Sequence, residues 1–395
     1  MQSTIDSPIT QPVHKRALFD LFPPDPDLQV SVIIPVKNEA DSLENTLNAL
    51  RCQKDLDGAS LPKQSYEVLI LLNNCTDQSG QITRSYQLRY PDFRLLVATV
   101  QLPVEMANVG TARRLLMDEA CNRFCQLDRP TGIIASTDGD TFVDSQWIAQ
   151  ICTEIDQGCD VVGGRILTQP DDTPVRLNHL RNVTYRSLIA RLESLLDPLP
   201  FDPWPRHFQH FGASIALTCA MYKRVGGLPP VACLEDEALY RALERIDARI
   251  RQSPLVRVTT SSRTQGRVAI GFSEQLRYWE VLNKTHQHQL VECAETVVHR
   301  IRARHRLRLY WQQRHTQPPF CLQAIAANLA LDYSCLQSQL DQSHYFGQFW
   351  EYVDACLTNN GWANRWQPVP ITEAISQLRL LVNTLEKNVA AASVD

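Results

Sequence analysis

Val30-Ser31-Val32-Ile33-Ile34-Pro35-Val36, closed by Lys37-Asn38-Glu39, is the stretch on which the fold turns. The run is β-branched and apolar almost throughout, the pattern of a strand buried on both faces. Outward from it the same unit recurs. Leu43, Leu47 and Leu50 recur at helical spacing and predict a helix over Asn38–Cys52. Strands are predicted over Tyr66–Leu72, Arg94–Val100, Gly132–Ser136 and Val161–Ile166, with helices over Gly80–Arg89, Gly110–Cys125 and Ser145–Gln157 between them. Alternating strands and helices imply right-handed crossovers, hence an α/β fold whose mostly parallel sheet is flanked by helices. Ligands of such sheets sit beyond the carboxyl ends of the strands. The residues to read for function are therefore Lys37-Asn38-Glu39, Asn73-Asn74-Cys75-Thr76-Asp77 and Asp138-Gly139-Asp140.

Composition sets outer bounds. The chain has 395 residues, 44% hydrophobic and 21% charged, enough apolar surface to exclude disorder over its whole length. A net charge of −4 offers no general basic field, so nucleic acid is not an expected partner. The longest uncharged, largely apolar stretch, Phe211–Tyr222, is well short of the ~20 residues that span a bilayer. Met1–Leu21 lacks the apolar core of a secretory signal. A cytoplasmic protein is expected, without an integral membrane segment. Twelve scattered cysteines with no CxxC pair read as reduced thiols filling the core, a metal site being the minority reading.

Three regions are expected. Residues 1–27, ending in Pro23-Pro24-Asp25-Pro26, read as a flexible arm; 28–275 as the main domain; 276–395 as a helical extension. Within the main domain Asn178–Leu196, Ala213–Val225 and Asp236–Ile250 are predicted helices, and Asp197–Pro205, with four prolines, a long loop. Between His299 and Arg314 lie Arg300, Arg302, Arg304, Arg306, Arg308 and Arg314. A solvated helix is the favoured reading of that segment, with peripheral contact to a membrane surface or an acidic partner the alternative. Phe346, Trp350, Trp362 and Trp366 argue for an ordered helical appendage. A homo-oligomer is compatible with the sequence.

Asp138-Gly-Asp140 places two carboxylates on one turn after a strand. Hard divalent cations take such oxygen ligands together with substrate phosphates; a capped Asp-Gly turn is the plainer reading. Leu234-Glu235-Asp236-Glu237 opens a helix, where acidic residues are favoured by the dipole alone or could supply a general base. Asn73–Asp77 could form Asx turns or contact a nucleobase edge. Arg113-Arg114 sits near a helix start, against the dipole preference; an acidic ligand would explain it, and so would surface exposure.

Taken in order, these pieces resemble glycosyltransferase family 2 with the GT-A, Rossmann-like fold, over about residues 29–275. Val30–Glu39 is similar to that family's opening strand and its Pro-x-x-Asn-Glu signature, and Thr76-Asp77 to the end of its second nucleotide-binding loop. Gly110–Arg114 resembles the helix start bordering the nucleotide sugar, and Asp138-Gly-Asp140 its Asp-x-Asp metal motif. Gly212-Ala-Ser214 with Val225-Gly-Gly227 resembles its acceptor side, and Glu235-Asp236 its Glu-Asp motif. The resemblance implies a nucleotide sugar (UDP- or GDP-linked) lined by Pro35, Glu39, Asn73, Asp77, Arg113 and Asp138, a Mg²⁺ or Mn²⁺ ion on Asp140, and Asp236, with Glu235, as the catalytic pair. Asp236 would take the proton from a hydroxyl acceptor, with inversion at the anomeric carbon. His210 and Gly212 would lie on the acceptor side, and Arg263 and Arg267 would grip the diphosphate or an acidic acceptor. The chain departs from the family at Asn73, where relatives often carry an aspartate contacting uracil, and after Asp236, where the metal-holding histidine of relatives is missing.

The acceptor is expected to be small and soluble, with a lipid or cell-surface glycan reached peripherally as the alternative. Alternatives fit less well. A nucleotidyltransferase would place a glycine-rich loop after the first strand, and a dinucleotide-binding dehydrogenase a G-x-G-x-x-G; Pro35–Glu39 contains no glycine. A degenerate transferase fold acting as a binding module would not need Asp138, Asp140 and Asp236 together.

Overall fold

The computed structural model describes residues 18–169, 173–260 and 272–392. The chain forms two compact units: Met1–Pro170 with Gln209–Arg241 and Arg249–Glu274, and Asp171–Phe208 with Ala242–Ala248 and Gln275–Asp395.

The chain runs β1 (Val30–Val36), α1 (Leu43–Arg51), β2 (Tyr66–Asn73), α2 (Ser79–Arg89), β3 (Leu95–Val100), α3 (Val109–Gln126), β4 (Ile133–Ser136), β5 (Thr141–Val143), α4 (Trp147–Asp156) and β6 (Val161–Thr168). After α5 (Arg176–Leu196), which belongs to the second unit, come β7 (Ile215–Thr218), α6 (Cys219–Val225), α7 (Glu235–Arg245) and β8 (Ile250–Thr260). The strands form one sheet in the order β3-β2-β1-β4-β7-β6-β8-β5. β1 pairs in parallel with β2 and β4, β2 with β3, and β6 with β8. β7 is antiparallel to both its neighbours, and β5 to β8. Every residue of β2 is buried, as a central parallel strand requires. Leu43, Leu47 and Leu50 of α1 and Trp147, Ile148 and Ile151 of α4 belong to the same core as the strands.

The chain steps from β1 outward through β2 to β3, then returns to β4 on the other side of β1. That reversal is the switch point where open α/β sheets leave a crevice at the strand ends. It places the segments after β1 and β4 side by side.

The expected strands and helices of residues 30–168 are present, with shifted ends and one addition, β5. Two later expectations are corrected. Ala213–Val225 is not one helix: a 3-10 turn over Gly212–Ser214 leads into β7, and only Cys219 begins α6. Asp236–Ile250 is not one helix either; α7 ends at Arg245, Asp247 takes φ 54°, and Ile250 opens β8. Residues 18–27, expected within a flexible arm, are anchored. Leu18 and Phe19 are buried, and the Leu18 N–H donates to Glu119 Oε2 at 3.0 Å.

The second unit contains α5, most of α8 (Phe272–Lys284), a short ladder of β9 (Leu290–Val291) with β10 (Val369–Pro370), and α9 (Ala294–Gln313), α10 (Leu322–Leu329), α11 (Tyr333–Gln342), α12 (Phe346–Asn359) and α13 (Ile371–Ala392). The segment 171–208, inside the expected 28–275 domain, packs here because Tyr185 and Leu192 of α5 share a core with Val297, Ile301 and Leu378. The arginine-rich helix α9 is not simply solvated. Arg304, His305 and Arg308 converge on the buried carboxylate of Asp197, while Arg314 lies over Trp311 and Arg308 over Phe346. Arg302 and Arg306 remain exposed. Among the described residues no helix is long and apolar enough to cross a membrane.

Candidate active site at the ends of β1 and β4

Two loops meet first. After β1, Asn38 adopts φ 58°, a conformation that asparagine tolerates better than most residues. Its Oδ1 accepts the Thr76 N–H at 2.7 Å. Asp77 accepts the Ala40 N–H at 2.9 Å on one oxygen and the Ser79 N–H at 3.0 Å on the other. Asp77 thus caps the turn into α2 and ties the loop after β2 to the loop after β1. These ties delay the start of α1 to Leu43. Pro35 lies two residues past the last β1–β4 pair, Ile33↔Ser136, where a missing N–H costs no ladder bond on that side.

The Asp138–Asp140 turn lies against the first loop. A Cβ on Gly139 would stand 2.8 Å from Glu39 Cγ, so glycine permits this approach. Thr46 Oγ1 of α1 donates to the Gly139 carbonyl at 3.0 Å. Asp138 and Asp140 are both half-buried. Their carboxylate oxygens are the hard donors that Mg²⁺ or Mn²⁺ prefers.

Arg113 joins this turn to the rest of the site. It is 3% exposed and projects from α3. Its Nε donates to Glu235 Oε1 at 3.0 Å and its Nη2 to Asp138 Oδ1 at 2.9 Å. Its Nη1 donates to Ser136 Oγ at 2.5 Å and to the Gly212 carbonyl at 3.0 Å. A Cβ on Gly212 would fall 2.6 Å from Arg113 Cζ. Burial alone would lower the Arg113 pKa, but the charges of Asp138, Glu235 and Asp236 outweigh it and raise it. Asp138 shifts upward, chiefly through burial and with Asp140 adding, against the pull of Arg113. Arg113 occupies one Asp138 oxygen, and a cation on the other would relieve that penalty.

The acceptor-side expectations meet on the same junction. Asp236 Oδ2 accepts the Gly212 N–H at 2.9 Å, and its Oδ1 accepts the Glu237 N–H at 2.8 Å. Glu235 is 4% exposed and held by Arg113, so its carboxylate is a structural partner rather than a group facing an acceptor. His210 Nε2 lies 2.6 Å from Glu237 Oε2, and its ring stacks on Tyr240 at 4.0 Å. Glu237 is held down at about 2, first by the His210 hydrogen bond.

Asn73 is buried at the end of β2. Its Nδ2 donates to the Asn108 carbonyl at 3.4 Å, while its Oδ1 and the Thr137 Oγ1 are buried without a hydrogen-bond partner among the described residues. Arg263 and Arg267 lie outside the described residues. Ser136 and Tyr240 were not given a role in the sequence, and Glu237 was read only as part of the acidic helix start. Ser136 could have been found as the last strand residue before Asp138; Tyr240 carries no signal without the fold.

Residues 31–213 match the model of Glycosyl transferase family 2. A stretch of 138 residues is 30% identical to glycosyltransferase AglE of Haloferax volcanii, covering 35% of this chain and 39% of that protein. The chain therefore matches about two fifths of that relative's length. Among solved structures, it is similar to S. aureus TarS 1–349 in complex with UDP, with 16% identity, a TM-score of 0.45 and coverage of 91% and 92%. It is also similar to mannosyltransferase PcManGT of Pyrobaculum calidifontis in complex with GDP-Man and Mn²⁺, with 16% identity, a TM-score of 0.43 and coverage of 93% and 89%. Over residues 31–213, a little under half of its length, the chain is thus similar to glycosyl transferase family 2.

Proposed function

We propose that the protein transfers a sugar from a nucleotide-sugar donor to a hydroxyl acceptor, with a divalent metal on Asp140 and Asp138. One observation carries this reading: Arg113 bonds Asp138, the Gly212 carbonyl and Glu235 at once, and Gly212 bonds Asp236, so the Asp-x-Asp turn and the Glu-Asp helix start form one site. The orphaned Asn73 Oδ1 offers an acceptor for a base N–H at the end of β2. Glu39, Asp77 and Pro35 shape the donor side, Asp77 by holding the two loops together. The carboxylates of Asp138 and Asp140 would hold Mg²⁺ or Mn²⁺, which neutralises charge on a diphosphate when bound.

Asp236 is the general base in this reading. A carboxylate has about four lone-pair sites, and the two backbone N–H groups use two of them. They fix its orientation and leave it able to accept the acceptor's proton. The acceptor oxygen bonds to the anomeric carbon, the carbon–oxygen bond to the diphosphate breaks, and the nucleoside diphosphate leaves, with inversion. Glu235 and Arg113 position Asp236 and Asp138. His210 and Gly212 border the acceptor side. Arg263 and Arg267 are assigned to the diphosphate or an acidic acceptor, and a small soluble acceptor and a cytoplasmic location are retained.

The test is nucleoside diphosphate release from a panel of UDP- and GDP-sugars, with Mg²⁺ or Mn²⁺ and with EDTA. Metal-dependent release from one donor is expected. Absence of both release and metal-dependent nucleotide binding across the panel would overturn the reading.

A further inference from the structure

Helix α3 carries Arg113 near one end and a group of thiols near the other. Cys121 and Cys125 are four residues apart and share a helix face. Cys219, the first residue of α6, meets them from a separate element. The three Sγ atoms all lie within 4.8 Å of one another, and Cys121 Sγ is 3.3 Å from Cys219 Sγ. Cys121 is 6% and Cys219 1% exposed, whereas Cys125 faces solvent. One turn further along α6, Lys223 Nζ lies 3.8 Å from Cys125 Sγ. Among the described residues no other group of three histidine, cysteine or acidic side chains converges this closely.

We propose that Cys121, Cys125 and Cys219 form a three-thiolate site for a thiophilic cation of the Zn²⁺ class. The donor chemistry separates it from the Asp138–Asp140 turn: thiolates select zinc-like ions and carboxylates select Mg²⁺ and Mn²⁺. The spacing fits. Zn–S bonds of about 2.3 Å put two sulfurs of a tetrahedral site roughly 3.8 Å apart, between the 3.3 Å of the Cys121–Cys219 pair and the 4.8 Å within which all three sulfurs lie. Cys125 at the surface provides the entry path and an open side for water as fourth ligand.

Binding requires deprotonated thiols, and the Lys223 ammonium beside Cys125 Sγ is a positive charge of the kind that favours a thiolate. Binding would release the thiol protons and leave three metal–sulfur bonds, with no oxidant needed. The ion would tie α3 to α6. Because α3 carries Arg113 about 12 Å further along, at 1.5 Å per residue, the tie would brace the junction of the active site.

Cobalt titration of the full, reduced, metal-stripped chain tests this, since Co²⁺ on thiolates gives a near-ultraviolet charge-transfer band that carboxylate sites lack. The wild type is expected to show the band saturating at one Co²⁺ per chain and bleaching with Zn²⁺. Cys125→Ser, at a solvent-facing position, is expected to weaken Co²⁺ binding by at least ~10-fold and dim the band. Cys335→Ser, an exposed cysteine of the second unit, is expected to leave it unchanged. Absence of the band in the wild type would overturn the proposal. So would a band indifferent to Cys125→Ser, or a Cys121–Cys219 disulfide in chain purified without reductant and with Zn²⁺ present.

Discussion

Two charge junctions, one in each unit, are built with opposite signs. In the first unit a buried cation, Arg113, is ringed by Glu235, Asp138 and the Gly212 carbonyl. In the second a buried anion, Asp197, is ringed by Arg304, His305 and Arg308. Their closure differs. The Asp197 side chain is 0% exposed, whereas that of Asp138 is 33% exposed. The titration shifts differ accordingly. Burial would raise Asp197, but the hydrogen bonds and charges of Arg308 and Arg304 outweigh it and lower the pKa. Asp138 stays raised, by burial first. A junction saturated by its own chain is scaffold. One that leaves a carboxylate half open and electrostatically unsatisfied has capacity for a ligand.

The comparison breaks most visibly at Arg113. Arg113→Met strands the buried Glu235 beside Asp138, so folding stability should fall by about 3–5 kcal/mol and transfer should drop to background. Urea denaturation and donor turnover measure the two. Asp197→Ala should cost a similar ~3–5 kcal/mol by stranding Arg308 and leaving Arg304 only Glu193, yet the folded fraction should retain its specific activity. Equal loss of turnover per folded molecule would erase the distinction between scaffold and site.

Asp140→Asn should do the reverse. It should remove several kcal/mol of transition-state stabilisation, a rate loss of roughly 100-fold or more, with unfolding changed far less than by Arg113→Met. The smallest effect separates the junctions by pH. A raised Asp138 carboxyl protonates above the ordinary aspartate value of about 3.9, so Mn²⁺ affinity should decline on acidification before that value is reached. Asp197 has a depressed folded-state pKa. Its contribution to stability is present above the unfolded value of about 3.9 and is lost only as pH falls through the lower folded value. Mn²⁺ titration and intrinsic fluorescence across pH 3–7 should therefore show metal loss first and unfolding second.

The sequence makes one half of this legible. The runs Val30–Val36 and Tyr66–Asn73 and the Asp138–Asp140 turn are local signals, and the residues after those strands do gather at the crevice. β7 was hidden because Ile215–Thr218 runs into Cys219–Val225 without a glycine or proline between them, and a continuous apolar stretch has no period to distinguish strand from helix. β8 was hidden because only four residues separate it from α7, with Asp247 making the turn that glycine usually marks. The junctions themselves could not be read. Arg113 meets Glu235 across 122 positions, and Asp197 meets Arg308 across 111. Arg113 was expected to face a ligand, and the arginines of α9 to face solvent. In both cases the counter-charge lies inside the same unit.

The central claim is that the Asp-x-Asp turn and the Glu-Asp helix start form one site with divided labour. It is tested most directly by measuring Mn²⁺-dependent nucleoside diphosphate binding and sugar transfer side by side in wild type, Asp140→Asn and Asp236→Asn. Asp140→Asn is expected to lose metal-dependent binding and transfer together. Asp236→Asn should keep binding and lose transfer by ~10²–10⁴-fold. An Asp236→Asn chain that transfers at the wild-type rate, or an Asp140→Asn chain with unchanged metal dependence, would contradict it.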